Sequence, residues 1–196
     1  MSEHPKATVI SVNLSPRKTM RKTPGERATL VMDRGFEGDA HMGDWHRQVS
    51  LLAIESIDKM TAKGLDVGPG DFAENITTRG IDLLALPVGS VIRIGAGTVL
   101  EISQIGKVCH TKCAIYYQAG DCVMPREGLF AVVRQAGEVA VGDEMTVVSL
   151  GDGTCDRTPV EAIAEFEAEK AAEKAAEAEK AGKACAPAGV SAHKEG

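Results

Sequence analysis

Two thiols and an imidazole fall within five residues of this chain, Cys109-His110-Thr111-Lys112-Cys113, with Lys107 and Lys112 close by. A thiolate is both a nucleophile and a soft-metal ligand, and neighbouring cations lower a thiol's pKa. The apolar run Thr98-Val99-Leu100-Glu101-Ile102-Ser103 reads as a strand, which sets Cys109 at the end of a rigid element. We therefore take Cys109 as the candidate chemical centre, as nucleophile or metal ligand, with Cys113 and Cys122 as secondary thiols. An isolated cysteine is more often a small packing residue; clustering gives chemistry and packing equal weight here. A structural or redox metal site built from Cys109, Cys113 and Cys122, with His110, is the competing chemistry. Its Cys-x3-Cys-x8-Cys spacing departs from that of zinc sites, and ligands at adjacent positions 109 and 110 are awkward. A Cys109–Cys113 disulfide switch is a related alternative.

Other segments must position this centre. Ala7 to Leu14 reads as a first strand and Ala28 to Met32 as a second. Between them, the polar loop Ser15 to Arg27 carries Arg17, Lys18, Arg21, Lys22 and Arg27 against the single Glu26. Such a local positive excess suits an anion such as a phosphate, although a solvated loop is the plainer account. Next comes a glycine-rich loop, Arg34 to Ser50, with Asp39, His41, Asp44, His46 and Arg47. Its glycines permit unusual backbone angles and close approach of a ligand. His41 and His46 stand five apart, a spacing that allows a shared metal without signalling one. Ser50 to Lys63 reads as the core helix, with Leu51, Ile54, Ile57 and Met60 on one face and Gly64 as a stop. Gly68 to Thr78 is a turn entering a strand, and Asn75 within it offers neutral hydrogen bonds. Val88 to Ile94, Val99 to Ser103, Leu129 to Arg134 and Met145 to Leu150 read as further strands. Hairpin turns are expected at Gly95-Ala96-Gly97 and Ala136-Gly137-Glu138. The expected fold is mainly β (α+β): a closed barrel with a few short helices over residues 1–150.

Residues 151–196 differ in composition. Ala, Glu and Lys dominate Pro159 to Lys183, with Glu167/Lys170, Glu177/Lys180 and Glu179/Lys183 at helical spacing. A solvated C-terminal helix is expected, followed by a disordered end over 184–196. The net charge of −6 is concentrated there, since ten acidic residues face six basic ones from Gly151 onward. An acidic chain with only 4% aromatic residues argues against nucleic-acid binding. No apolar run has the length of a membrane span or a signal peptide. Five cysteines without a secretory signal point to reduced thiols and a cytoplasmic location.

Taken in order, several segments resemble the MOSC domain family, named for the C-terminal region of molybdenum cofactor sulfurases, and most closely its small stand-alone bacterial members. They are Gly35-Phe36-Glu37-Gly38-Asp39-Ala40-His41-Met42-Gly43 with Arg47-Gln48-Val49-Ser50-Leu51, then Gly70-Asp71-Phe72-Ala73-Glu74-Asn75-Ile76-Thr77-Thr78 with Gly80-Ile81-Asp82-Leu83. Leu86-Pro87-Val88-Gly89, the Cys109 segment, Gly128-Leu129-Phe130 and Val141-Gly142-Asp143 follow. The resemblance covers about residues 7–149. It implies a MOSC-type β-barrel binding a molybdenum or tungsten molybdopterin cofactor, in which a cysteine carries sulfur or ligates the metal. Cys109 holds that place, with Val108 where relatives usually have proline. The family's phosphate-binding region falls on Ser15 and Lys18, and Asn75 matches the element beside the pterin. A phosphate-bearing pterin needs cations, which Lys18, Lys22, Arg47 and Arg126 supply in this reading, and Asp39 and His41 join them as cofactor-binding candidates. The resemblance implies a role in cofactor sulfuration, maturation or delivery, with sulfurtransferase-type or molybdenum-dependent turnover as a possibility and a non-catalytic carrier or chaperone as the alternative. A cysteine desulfurase and a recipient molybdo- or tungstoenzyme are the implied partners. Pyridoxal phosphate is not expected in this chain, because no lysine motif for it is present.

Overall fold

The computed structural model describes residues 7–107 and 114–158, with three further helical positions at 168, 171 and 175. Cys109, His110 and Cys113 lie outside the described residues, as do most of the expected C-terminal helix and the end that follows it.

Seven strands close into a barrel. They are β1 (Ala7–Leu14), β5 (Val49–Ala53), β6 (Ile76–Arg79), β7 (Val91–Ile94), β8 (Thr98–Ile105), β9 (Leu129–Gln135) and β11 (Glu144–Ser149). The order around the wall is β1-β11-β7-β8-β9-β5-β6 and back to β1. Closure through Ala7↔Met145 removes the free edges that an open sheet would expose. A short β2 (Thr23–Gly25) adds to β1 outside the ring, while β3 (Arg27–Val31), β4 (Gly35–Phe36) and β10 (Gly137–Ala140) form a separate three-stranded sheet. β5 and β6 run parallel, Leu51 opposite Ile76. That pairing needs a long crossover, and helix α1 (Ile54–Thr61) supplies it.

Side-chain alternation sorts the wall into two cores. In β5, Val49, Leu51 and Ala53 face the barrel interior, while Leu52 faces outward. In β9, Leu129, Ala131 and Val133 go inward and Phe130 outward. The outward set meets α1 and the short helices α2 (Ala114–Ala119) and α3 (Met124–Glu127), through Ile57, Met60, Ile115 and Met124. Each buried Ile or Leu contributes roughly 1.5–3 kcal/mol, so the outer cluster fixes one face of the barrel firmly.

Two sequence expectations change. The core helix begins at Ile54, because Val49–Ala53 is a strand with all five residues buried. Leu51 belongs to the strand period, and only Ile54, Ile57 and Met60 belong to the helical one. Ala136 does not turn a hairpin either: β9 and β10 lie in different sheets, and Gly137 pairs with Leu30. The hairpin at Gly95–Gly97 does join β7 to β8.

Beneath one rim of the barrel runs a directional chain of buried hydrogen bonds. Ser11 Oγ donates to Asn13 Oδ1 (2.6 Å), Asn13 Nδ2 to Thr77 Oγ1 (3.1 Å), and Thr77 Oγ1 to Glu74 Oε1 (2.8 Å). The Gly70 N–H donates to the same Glu74 oxygen at 2.6 Å. Glu74 is fully buried, and its Oε2 has no partner among the described residues. Burial raises the Glu74 pKa, and the donors on Oε1 offset this only in part. The donors from Thr77 and Gly70 both point at Oε1. Gly70 has φ +88°, and a Cβ there would meet the Lys22 carbonyl oxygen at 2.2 Å.

Two tests follow from this strut. Gly70→Ala should cost about 1–3 kcal/mol in urea unfolding. Gly38→Ala, also at positive φ (+78°) but with nothing within 4 Å of its Cβ, should cost about 1 kcal/mol or less. Because the folded pKa of Glu74 is raised, its contribution is full below the unfolded pKa and is lost as pH rises through the folded one. Glu74→Gln should therefore flatten the alkaline side of the stability profile while keeping neutral stability within about 1 kcal/mol. Equal pH slopes in the two proteins would show that Glu74 is ionised in the fold.

Candidate functional site

The end of β1, the starts of β5 and β6 and the end of β8 meet at this rim. Asn75 ties three of them. Its backbone carbonyl accepts from the Asn13 N–H (2.7 Å) and its N–H donates to the Ser50 carbonyl (2.9 Å). The side chain repeats the pattern: Oδ1 accepts from the Ser50 N–H and Oγ, and Nδ2 donates to the Asn13 carbonyl. Asn75 is 1% exposed, so it holds the turn in place from within.

Asp39 is the second tie. The Lys22 ammonium donates to both its oxygens, at 2.8 and 2.7 Å, with both side chains almost wholly buried. The Ser15 N–H reaches Oδ2 at 3.0 Å, and the His41 N–H reaches Oδ1 at 3.0 Å. The His41 ring nitrogen Nδ1 lies 3.3 Å from the same Oδ1. Burial alone would raise the Asp39 pKa, but the bonds from His41 and Lys22 and the lysine's charge outweigh it and hold the carboxyl well below the usual range. Burial draws Lys22 down, opposed by Asp39. One buried carboxylate thus joins the Ser15–Lys22 loop to the glycine-rich loop.

After Asp39 the loop turns to present cations and rings. The only tryptophan, Trp45, donates its indole N–H to the His41 carbonyl at 2.9 Å. The Arg47 guanidinium lies 5.0 Å from the Trp45 ring centre and 5.8 Å from that of Phe130. The Lys107 ammonium lies 5.9 Å from the same Phe130 centre. Two cations from different segments therefore converge on one buried aromatic ring, a cation–π arrangement that fixes their positions. Lys107 has no carboxylate within salt-bridge distance among the described residues. The Lys107 N–H donates to the Pro125 carbonyl (3.1 Å), and Gly106, at φ +66°, donates to Gly128 (2.7 Å), so the exit of β8 is pinned to the α3 region.

His46 completes the rim. Its Nε2 is 2.9 Å from Gln104 Oε1, and Gln104 Nε2 donates to the Gly106 carbonyl at 2.8 Å. With the amide oriented by Gly106, His46 must donate from Nε2, which leaves Nδ1 as an acceptor. Burial, then the neighbouring Arg47 charge, lowers its pKa and keeps the ring neutral at pH 7.

Ser15, Lys22, Asp39, His41, Arg47 and Asn75 all belong to this rim. Lys18 is exposed on the loop above it, where its carbonyl accepts from Thr19 Oγ1. Arg126 is exposed on α3 and pairs with Asp121 at 2.5 Å, which also takes Lys63 at 2.6 Å. Cys122 is half-buried beside the outer cluster, its N–H held by Asp121. His41 turns to Asp39 and His46 to Gln104, so each ring has its own partner. Sequence reasoning missed Lys107 as a rim cation, along with Phe130, Gln104 and Trp45. The Gly106-Lys107 step into the thiol cluster was the available signal.

One other group of the described residues has metal-ligand spacing, Glu101, Cys155 and Asp156 within 4.8 Å of one another. Arg134 already occupies it, with Nε 2.6 Å from Glu101 and a second guanidinium nitrogen on Asp156. Burial and the nearby Glu101 push the Cys155 thiol up, the opposite of what a reactive thiol needs. No helix of the described residues is long and apolar enough to cross a membrane.

The fold is similar to that of several solved proteins. The YUAD protein from Bacillus subtilis superposes with a TM-score of 0.62 at 19% identity, over 71% of this chain and 94% of that one. YiiM from Geobacillus stearothermophilus gives 0.57 at 19% identity (75% and 77% covered), and YiiM from Escherichia coli 0.54 at 19% (82% and 76%). No curated protein sequence matches the chain. The MOSC domain pattern, in contrast, matches residues 38–146, more than half of the chain, from the loop of Asp39 to β11. The barrel, its rim and this match agree: the chain belongs to the MOSC domain family, which is linked to the molybdenum cofactor.

Proposed function

We propose that the protein binds a molybdenum or tungsten molybdopterin cofactor at this rim and acts in its sulfuration, maturation or delivery, with Cys109 as sulfur carrier or metal ligand. The observation that carries the reading is the convergence of Arg47 and Lys107 on Phe130, two residues before Cys109 in the chain. A terminal phosphate needs cations that are not already neutralised internally. Lys22 is spent on Asp39, so the phosphate falls first to Lys107, which can donate charge-assisted hydrogen bonds, with Arg47 beside it over Phe130. His41 and Ser15 are both tied to Asp39, and a soft thiolate two residues after Lys107 in the chain suits a molybdenum or tungsten centre. The donor set therefore fits the group. When bound, the metal would supply the redox or sulfur-accepting chemistry, while the chain binds and orients.

Within this reading a cysteine desulfurase supplies sulfane sulfur to Cys109, and a recipient molybdo- or tungstoenzyme accepts the cofactor. A non-catalytic carrier uses the same rim without turnover. Reduced cytoplasm is the compartment that keeps such a thiol available.

The test is metal and pterin analysis after anaerobic purification from a host competent in molybdopterin synthesis, wild type beside Cys109→Ser. Stoichiometric pterin with molybdenum or tungsten in the wild type is expected. Loss of metal or labile sulfur in Cys109→Ser, with pterin retained, assigns the thiol. Zinc without pterin in the wild type would overturn the proposal.

A further inference from the structure

Residues 150–158, beyond the stretch matched by the family, turn back across the barrel and end against the site loop. The approach is close. A Cβ on Gly151 would meet the Val88 carbonyl oxygen at 2.1 Å, and one on Gly89 would meet the Thr154 oxygen at 2.3 Å. The Gly151 N–H donates to Ser90 Oγ (3.0 Å) and the Gly153 N–H to the Val88 carbonyl (3.0 Å). Further on, Arg134 joins Glu101 of β8 to Asp156 of this strap. Thr158 Oγ1 then donates to the Ser103 carbonyl, and Ser103 Oγ donates to the His46 carbonyl inside the site loop.

Arg157 makes the contact with the loop itself. One guanidinium nitrogen is 3.1 Å from Asp33 Oδ1, and the other bonds Asp44 Oδ1. Asp33 directly precedes the glycine-rich loop, and Asp44 lies within it, directly before Trp45. Between them the segment is held by the β3–β4 pairing, by the Glu37 N–H to the Thr29 carbonyl and the Ala40 N–H to the Ser15 carbonyl, and by the Lys22–Asp39 pair; Arg157 adds a tie at Asp44, next to Trp45.

We infer that Arg157 is a positioning residue: by bridging Asp33 and Asp44 it latches the C-terminal strap onto the site loop and sets the placement of the Trp45–Arg47 stack on Phe130. The latch deepens the proposed function, because it makes the cation that would meet the phosphate depend on a segment outside the matched domain. Its energy is small. Arg157 is 29% exposed and Asp44 66%, so solvent screens the pair strongly. Salt weakens the Arg157 contact, while Gly151, Gly153 and Thr158 keep the strap on the barrel.

The only tryptophan lies in the latched segment, so its emission and acrylamide quenching report the latch directly. The experiment compares full-length wild type, Arg157→Ala, Arg157→Lys and Asp44→Asn at low and high NaCl. Arg157→Ala and Asp44→Asn should raise the fraction of quenchable Trp45 by roughly two- to fivefold at low salt, the range open to an exposed pair. Arg157→Lys, which reaches one carboxylate instead of two, should fall between them and the wild type. Wild type at high salt should approach the Arg157→Ala value. Trp45 quenching that is the same in Asp44→Asn and wild type, at both salt concentrations, overturns the latch even if Arg157→Ala fails to fold. Pterin content of the same proteins separates this from the functional reading: a Trp45 response in proteins that never hold pterin keeps the latch and removes the cofactor assignment.

Discussion

The buried Lys22–Asp39 pair is the interaction on which the rim depends. Two loops with little regular structure meet there. Without a charge-assisted tie they would be free to separate, since the only backbone link between Ser15 and the glycine-rich loop beside it is the Ala40 N–H to the Ser15 carbonyl, at 2.8 Å. A buried pair of this type adds little net stability, because desolvation consumes most of the Coulomb gain. Removing one partner is different: it strands a charge in the interior at about 3–5 kcal/mol. The pair therefore acts as a specifier of loop position. It also removes Lys22 from the set of cations that can meet an anionic ligand.

The barrel divides its labour accordingly. Alternation along β5 and β9 sends one set of side chains inward and puts Phe130 on the outer face, where Arg47 and Lys107 lie over it. The ring is rigid because β9 is rigid. The cations are placed by the ring together with their own segments, Arg47 just before β5 and Lys107 just after β8. Below them, the Ser11–Asn13–Thr77–Glu74 chain and the doubled Asn75–Ser50 contacts fill the rim with hydrogen-bonded polar groups, Glu74 Oε2 excepted.

Much of this was legible in the residues. The strand-like runs at Ala7–Leu14, Thr98–Ser103 and Leu129–Arg134 coincide with barrel strands because β-branched alternation reports a half-buried wall directly. Ser50–Ala53 reads as part of the neighbouring helix, since Leu51 falls three residues before Ile54 and both faces of this strand are buried, which removes a clear inside–outside alternation. The turn at Ala136 misleads because glycine marks a change of direction without saying which sheet the chain enters. At the rim, Asp39, His41 and Arg47 stood out by type and density. Lys22 also stood out, but its burial did not, because a lysine amid other cations reads as solvated until its partner is located 17 residues away. Phe130 and Gln104 carried no local signal at all: their role exists only once β8, β9 and the site loop are side by side. Arg157 lies in a segment whose composition reads as tail.

In the function we propose, Lys107, with no carboxylate within salt-bridge distance among the described residues and placed over Phe130, meets the phosphate of the pterin. The most direct measurement is the dissociation constant of anaerobically prepared molybdopterin for wild type and Lys107→Met, beside Lys18→Met and Arg126→Met. The account predicts that Lys107→Met weakens binding about tenfold or more, the loss of one charge-assisted hydrogen bond, while the other two variants stay within about twofold of wild type. Unchanged affinity in Lys107→Met, with the loss appearing in Lys18→Met or Arg126→Met, would contradict it and move the anion site away from this rim.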